Sequence, residues 1–257
     1  MSTDGLRLAV GTFTRLPVPP PERVDAQAAR GAMLLSSPIG LLLGLILGIT
    51  AQVLVNATDS PGLLGAALAV AALAWITRAL HLDGLADTVD GLGSGRDPAG
   101  ALDIARRSDI GPFGVVALVL MLVIQTIAFG ALLDTGAGGG SFVIAIVMGR
   151  VAMMMTATRG VPAARADGLG AAVAGTVPAW ATWLITLGWL LLFCGSVTRS
   201  HGVAAGAGTA VAILGSILAT VWLIRIARRR FGGITGDVIG AAGEIATTVV
   251  LVLLVVT

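Results

Sequence analysis

Seven stretches of this chain are long enough and apolar enough to cross a lipid bilayer as helices. They run roughly over 32–55, 62–80, 113–133, 141–158, 178–198, 203–226 and 238–256. A crossing helix takes about 20 mostly apolar residues, because the bilayer offers no partner for a free backbone N–H or C=O. The arginines sort these stretches into a topology. Fifteen of the sixteen lie before the first stretch or at the connections after the second, fourth and sixth; only Arg199 falls on the other side. Basic residues concentrate on the cytoplasmic side of membrane proteins. The expectation is an all-α integral membrane protein with about seven transmembrane helices, N-terminus cytoplasmic and C-terminus outside. Pro38 and Gly40 mark the first stretch for a kink.

Composition narrows the class further. Hydrophobic residues make up 56% and charged residues 12%, with mean hydropathy +0.96, which excludes a water-soluble monomer. The single Cys194 excludes a disulfide scaffold, and a net charge of +2 gives no nucleic-acid footprint. Thirty-six glycines fit close helix packing in a bilayer. No apolar core beside a small-residue cleavage site precedes the first stretch, so no cleavable signal peptide is expected. The whole of 1–257 reads as one polytopic membrane domain, with a cytoplasmic N-terminal segment over 1–31 and an acidic cytoplasmic loop over 81–112.

That acidic segment carries the strongest chemical signal. It contains His81-Leu-Asp83-Gly-Leu-Ala-Asp87-Thr-Val-Asp90-Gly91. The spacing i, i+4, i+7 puts the three Asp on one helix face, where like charges repel. Three stacked carboxylates at a membrane surface call for a cation, and hard oxygen ligands suit Mg²⁺ bridging to phosphates. Over 81–112 six Asp stand against Arg96, Arg106 and Arg107. Acids beside arginines form what a metal-bridged phosphate site needs. His81 is a candidate proton acceptor. The active site is therefore expected on the cytoplasmic side.

A second constellation, Phe231-Gly-Gly-Ile-Thr235-Gly-Asp237 followed by Glu244, opens the last stretch. Asp237 and Glu244 are seven apart and share a helix face. A carboxylate two turns inside a crossing helix is expensive and points to function. Arg150, Arg159 and Arg165 fall near the same side of the membrane.

Taken together, these motifs resemble the cobalamin synthase family, the adenosylcobinamide-GDP ribazoletransferases. The matching pieces are Phe13-Thr-Arg15-Leu-Pro17-Val-Pro19, His81 to Gly91, Ile110-Gly-Pro-Phe-Gly114, Arg165-Ala-Asp-Gly168-Leu-Gly170 and Gly232-Gly-Ile-Thr-Gly-Asp237 with Glu244. They cover nearly the whole chain in the family's order. One departure is the order Arg107-Ser108-Asp109, where relatives carry Asp-Ser-Arg. The resemblance implies an Mg²⁺-dependent transferase of the inner membrane, acting in vitamin B12 biosynthesis. It would move the adenosylcobinamide phosphate moiety from adenosylcobinamide-GDP to α-ribazole or its 5′-phosphate and release GMP.

On that reading Asp83, Asp87 and Asp90 hold Mg²⁺, and one of them or His81 accepts the proton. Arg96, Arg106, Arg159 and Arg165 clamp the pyrophosphate, while Asp237 and Glu244 hold substrate groups or a second metal. The expected partners are the two substrates and the lipid bilayer; a homo-oligomer is compatible and a nucleic acid is not. Two alternatives stand beside it. A CDP-alcohol phosphatidyltransferase would use the same chemistry on a lipid, but Asp87 occupies the place where its pattern has Arg. A transporter would place its acids along a path through the bilayer, often in repeated halves. No repeat is visible here, and the acids concentrate in one connection, which holds six of the fourteen, rather than at the midplane, Glu244 excepted.

Overall fold

The computed structural model describes residues 2–107 and 109–257. Eleven helices are found among them. In chain order they are α1 (Thr3–Phe13), α2 (Ala26–Thr58), α3 (Gly62–Ile76), α4 (Leu80–Gly93), α5 (Pro98–Ile104) and α6 (Pro112–Asp134). Then follow α7 (Gly138–Thr156), α8 (Gly168–Val173), α9 (Ala179–His201), α10 (Val203–Arg230) and α11 (Gly236–Val256). Six of these, α2, α6, α7, α9, α10 and α11, are long and apolar enough to cross a bilayer alone. α3 and α4 meet that standard only together, as a pair bent by 87°, which brings the number of candidate crossings to seven if the pair is one span. The seven expected stretches are therefore all helical. α2 runs unbroken through Pro38.

Large apolar side chains remain exposed along the outer helices. Leu42, Ile46, Ile49 and Val53 line α2, Trp183, Leu184, Leu187 and Leu191 line α9, and Leu214, Leu218 and Trp222 line α10. Soluble proteins do not present such continuous apolar faces, so these belong against lipid. α7 is the centre of the bundle, buried continuously from Ser141 to Thr156.

Glycines set how closely the central helices approach. Gly40, Gly44 and Gly48 recur every fourth residue on α2 and form one seam against α7. A Cβ would stand 2.9 Å from Val143 Cα at Gly44 and 2.6 Å from the Gly139 carbonyl oxygen at Gly48. Nothing larger than glycine fits that seam. α11 meets the other side of α7, where Thr247 Oγ1 donates to the Ala145 carbonyl at 3.4 Å.

The chain crosses back and forth through short turns at one end: 59–61, 135–137 and the single Gly202. At the opposite end it builds α1 before the first crossing and α4, α5 and α8 between later ones. The two ends thus differ in both charge and content, with Arg199 the sole arginine at the plain end.

Candidate active site

The segment expected to be an acidic loop is mostly helix. α4 begins after two consecutive residues in the left-handed region, Arg78 (φ 57°) and Ala79 (φ 54°). It then packs across the first turns of α6 and α11. Small residues allow this approach. A Cβ on Gly84 would lie 2.9 Å from Asp237 Cα, and one on Gly240 would lie 3.0 Å from His81 Cα. Two motifs about 150 residues apart in the chain are thereby pressed together.

A cleft of about 280 Å³ opens where they meet. Asp83 from α4 and Asp237 from the start of α11 line it, facing Arg106 and Arg165. Thr235 caps α11, accepting from the Val238 N–H at 3.2 Å, and its hydroxyl donates to Asp237 Oδ2 at 3.1 Å. Arg106 reaches across the mouth to Asp167, 3.7 Å away. Arg165 donates to the Leu102 carbonyl. Burial, then the neighbouring Arg106, lowers the Arg165 guanidinium from its ordinary value, while Asp237, Asp167 and Asp103 act the other way.

Asp87 sits half-buried one turn beyond Asp83. Its carboxyl is pushed up to about 7, first by burial and then by the charges of Asp83, Asp237 and Asp90. Among the described residues no three His, Cys, Asp or Glu side chains converge closely enough to hold an ion as they stand. The donor set nonetheless suits a hard divalent cation that keeps several waters and shares substrate phosphates.

Several expected site residues stand elsewhere. Asp90 faces away from the cleft and is 6% exposed. Its two oxygens accept the Gly111 and Gly114 N–H groups at 2.7 and 2.9 Å. It caps α6 from a distance, because Gly111 and Gly114 have no side chains to hold it off. His81 lines the cleft but is 4% exposed. Arg150 Nη1 lies 3.1 Å from both ring nitrogens, and Phe13 stacks on the imidazole with centroids 6.2 Å apart. A guanidinium only donates, so this imidazole is an acceptor already engaged.

Arg96 is exposed on the surface, and its carbonyl accepts from Arg230. Arg159 lies in a separate surface depression with Arg30 and Thr176. Glu244 points into the bundle, where Gln125 Nε2 donates to it at 2.9 Å and to Thr248 Oγ1 at 2.9 Å. An amide from α6 thus satisfies the carboxylate that looked too expensive to be structural.

The structure also adds residues. Arg150, expected only as one of several arginines near this side, is 4% exposed and holds α4 to α7. Phe13 and Thr12 bring α1 to the cleft wall. The Phe13-Thr-Arg15 string held the signal for α1. Arg150 looked like any arginine at a helix end.

A family model described as cobalamin-5-phosphate synthase matches residues 5–255. A Nocardioides species protein named adenosylcobinamide-GDP ribazoletransferase is 43% identical over 252 residues, covering 96% of each chain. One of the same name from Frankia casuarinae is 37% identical, covering 98% of this chain and 94% of its own. Another from Sinorhizobium medicae is 37% identical, covering 96% and 94%. No solved structure matches.

Proposed function

The chain belongs to the cobalamin-5-phosphate synthase family, and from that premise we propose that it is an adenosylcobinamide-GDP ribazoletransferase. It joins adenosylcobinamide phosphate to α-ribazole or its 5′-phosphate and releases GMP. A ribose hydroxyl oxygen bonds to the phosphorus attached to the cobinamide. The bond from that phosphorus to the bridging oxygen breaks, and GMP departs with the oxygen. The hydroxyl proton passes to an aspartate carboxylate. Since the 5′-phosphate survives in the product of the phosphorylated acceptor, the attacking hydroxyl is a secondary one.

The observation that carries this reading is the cleft where Asp83 and Asp237 face Arg106 and Arg165. Phosphoryl transfer needs positioning and charge neutralisation more than covalent help. Arg106 and Arg165 would grip the pyrophosphate oxygens through their planar forks. Asp83, Asp87 and Asp237 would hold Mg²⁺, which when bound neutralises charge developing on the pyrophosphate. Asp237 takes the place in this set that spacing alone gave to Asp90, whose oxygens are engaged by α6. His81 and Glu244 act by holding α4 and α11 in place, and Arg96 and Arg159 drop out of the clamp. The arginine bias supports a cytoplasmic-membrane location with the cleft on the cytoplasmic side.

The test is turnover by purified protein in detergent, supplied with adenosylcobinamide-GDP and α-ribazole, with and without Mg²⁺. GMP release that needs both substrates and the metal supports the whole reading. Release without Mg²⁺ removes the metal from it. No GMP from folded protein removes the transferase.

A further inference from the structure

The cleft has two unlike walls. The charged wall carries Asp83, Asp237, Arg106 and Arg165, and the reaction above accounts for it. The other wall is apolar: Phe13, Met33, Leu169, Ile234 and Ile239 line it, drawn from α1, α2, α8, the turn before α11, and α11. Phe13, Met33, Ile234 and Ile239 are each no more than 2% exposed. Five separate elements converge on this wall, so its shape is preformed. Phosphate chemistry gives no reason for it, since neither a pyrophosphate nor a metal gains from an apolar wall.

Size decides what the wall can hold. About 280 Å³ lies at the low end of small-molecule sites. A nucleoside fits that space and a corrin ring with its substituents does not. Of the groups in the proposed reaction, two are flat heteroaromatic bases: the guanine of the donor and the dimethylbenzimidazole of the acceptor. Guanine presents several hydrogen-bond donors and acceptors that an apolar wall would strand. Dimethylbenzimidazole is apolar along its methylated edge.

Resting on the transferase reading, we propose that the cleft is the acceptor subsite. The base of α-ribazole lies against Phe13, Met33, Leu169 and Ile239, and its ribose end points to Asp83 and Asp237. The corrinoid stays outside the cleft and presents only its pyrophosphate to the mouth, where Arg106 stands. Base selectivity is then a packing property of the apolar wall, independent of the charged wall.

The experiment measures GMP release with ribosides of 5,6-dimethylbenzimidazole, benzimidazole and adenine, at fixed adenosylcobinamide-GDP and Mg²⁺. A methyl group in an apolar pocket is worth roughly 10–200-fold in selectivity. Wild type should therefore favour the dimethylated base over benzimidazole by at least about tenfold in kcat/KM. Leu169→Ala, on the short α8, and Met33→Ala should each raise KM for α-ribazole and shrink that preference. The KM for adenosylcobinamide-GDP should stay unchanged. Phe13→Leu adds a variant with smaller volume change should Met33→Ala fail to fold. Variants that raise KM for adenosylcobinamide-GDP and leave the riboside series unmoved would overturn the acceptor assignment while the transferase stands. Wild type that releases no GMP with any riboside would instead overturn the underlying transferase reading.

Discussion

The two ends of the bundle solve different problems with the same chain. At the plain end, hairpins close in one to three residues, and polar side chains only stitch turns. Asp134 Oδ1 accepts the Gly62 N–H at 2.7 Å, and Gln52 Nε2 donates to the Leu133 carbonyl at 3.1 Å. At the arginine-rich end, four extra helices are laid before and between crossings, and some acids there are left unpaired. Asp83 is exposed, and Asp87 shares its surroundings with three other carboxylates. An acid that satisfies a turn is quiet; acids that repel one another are poised for a ligand. Side-chain type does not separate the two ends, since Asp serves in both. What separates a quiet acid from a poised one is whether a backbone N–H already occupies its oxygens, as at Asp134 and Asp90 and not at Asp83.

The largest effect expected from breaking this contrast is on turnover. Asp83→Ala should lower kcat by roughly 10²–10³-fold, the scale for losing a key electrostatic group, with the melting temperature in detergent held. Asp134→Ala should do the reverse, leaving kcat intact and weakening the fold by about 1 kcal/mol, as for a lost cap. Equal kcat losses from both would erase the distinction between the ends.

Adding one methyl at each end sharpens it further. Gly84→Ala and Gly48→Ala each force a Cβ onto backbone, and overpacking of this kind costs about 1–3 kcal/mol. Both should melt earlier. Only Gly84→Ala should also lose activity in the protein that remains folded, because it pushes α4 away from Asp237. Activity per folded molecule, from a thermal-shift assay run beside turnover, separates the two.

Asp90 tests the rule within the active end itself. Asp90→Ala should cost about 1–2 kcal/mol through its lost cap on α6. Asp90→Asn, which keeps one acceptor oxygen, should recover part of that and retain measurable turnover. Asn abolishing activity as completely as Asp83→Ala would return Asp90 to the metal set.

The smallest effect is on pH. The carboxyl of Asp87 is raised from 3.8 to about 7 in the fold, so the folded state binds the proton that the unfolded state gives up. Stability of metal-free protein should therefore fall as pH rises from about 4 to about 7 and level off above. Added Mg²⁺ should restore most of it above pH 7 and little below pH 5. A flat melting curve across that window would show that the acids do not crowd one another in solution.

The six long crossing helices and the bent α3–α4 pair were legible because apolar length is a local property of the chain. The pairing of His81–Gly91 with Gly232–Asp237 was legible only as two acidic motifs; Gly84 and Gly240 bring them together, and no spacing rule links residues so far apart. Helical periodicity put Asp90 with Asp83 and Asp87, yet its fate was decided by Gly111 and Gly114 on another helix. Glu244 read as functional because a lone carboxylate in a bilayer is costly, and Gln125, the residue that removes the cost, lies on α6. Arg159 and Arg165 are six apart in one connection, but they open onto different depressions.

The bend at Arg78 and Ala79 has a practical consequence. Two successive side-chain-bearing residues in left-handed backbone are unfavourable on their own. Here the first helix buttresses them: Arg78 donates to the Gly11 carbonyl, the Arg15 N–H donates to the Ile76 carbonyl at 2.8 Å, and the Arg15 guanidinium lies 3.9 Å over Trp75. α4 therefore takes its direction from the opening residues of the chain. An affinity tag or fluorescent fusion ahead of Ser2 would load the brace that aims the aspartates. The same fusion after Thr257 would hang from the far end of the bundle, beside Gly208 of α10 and away from the aspartates.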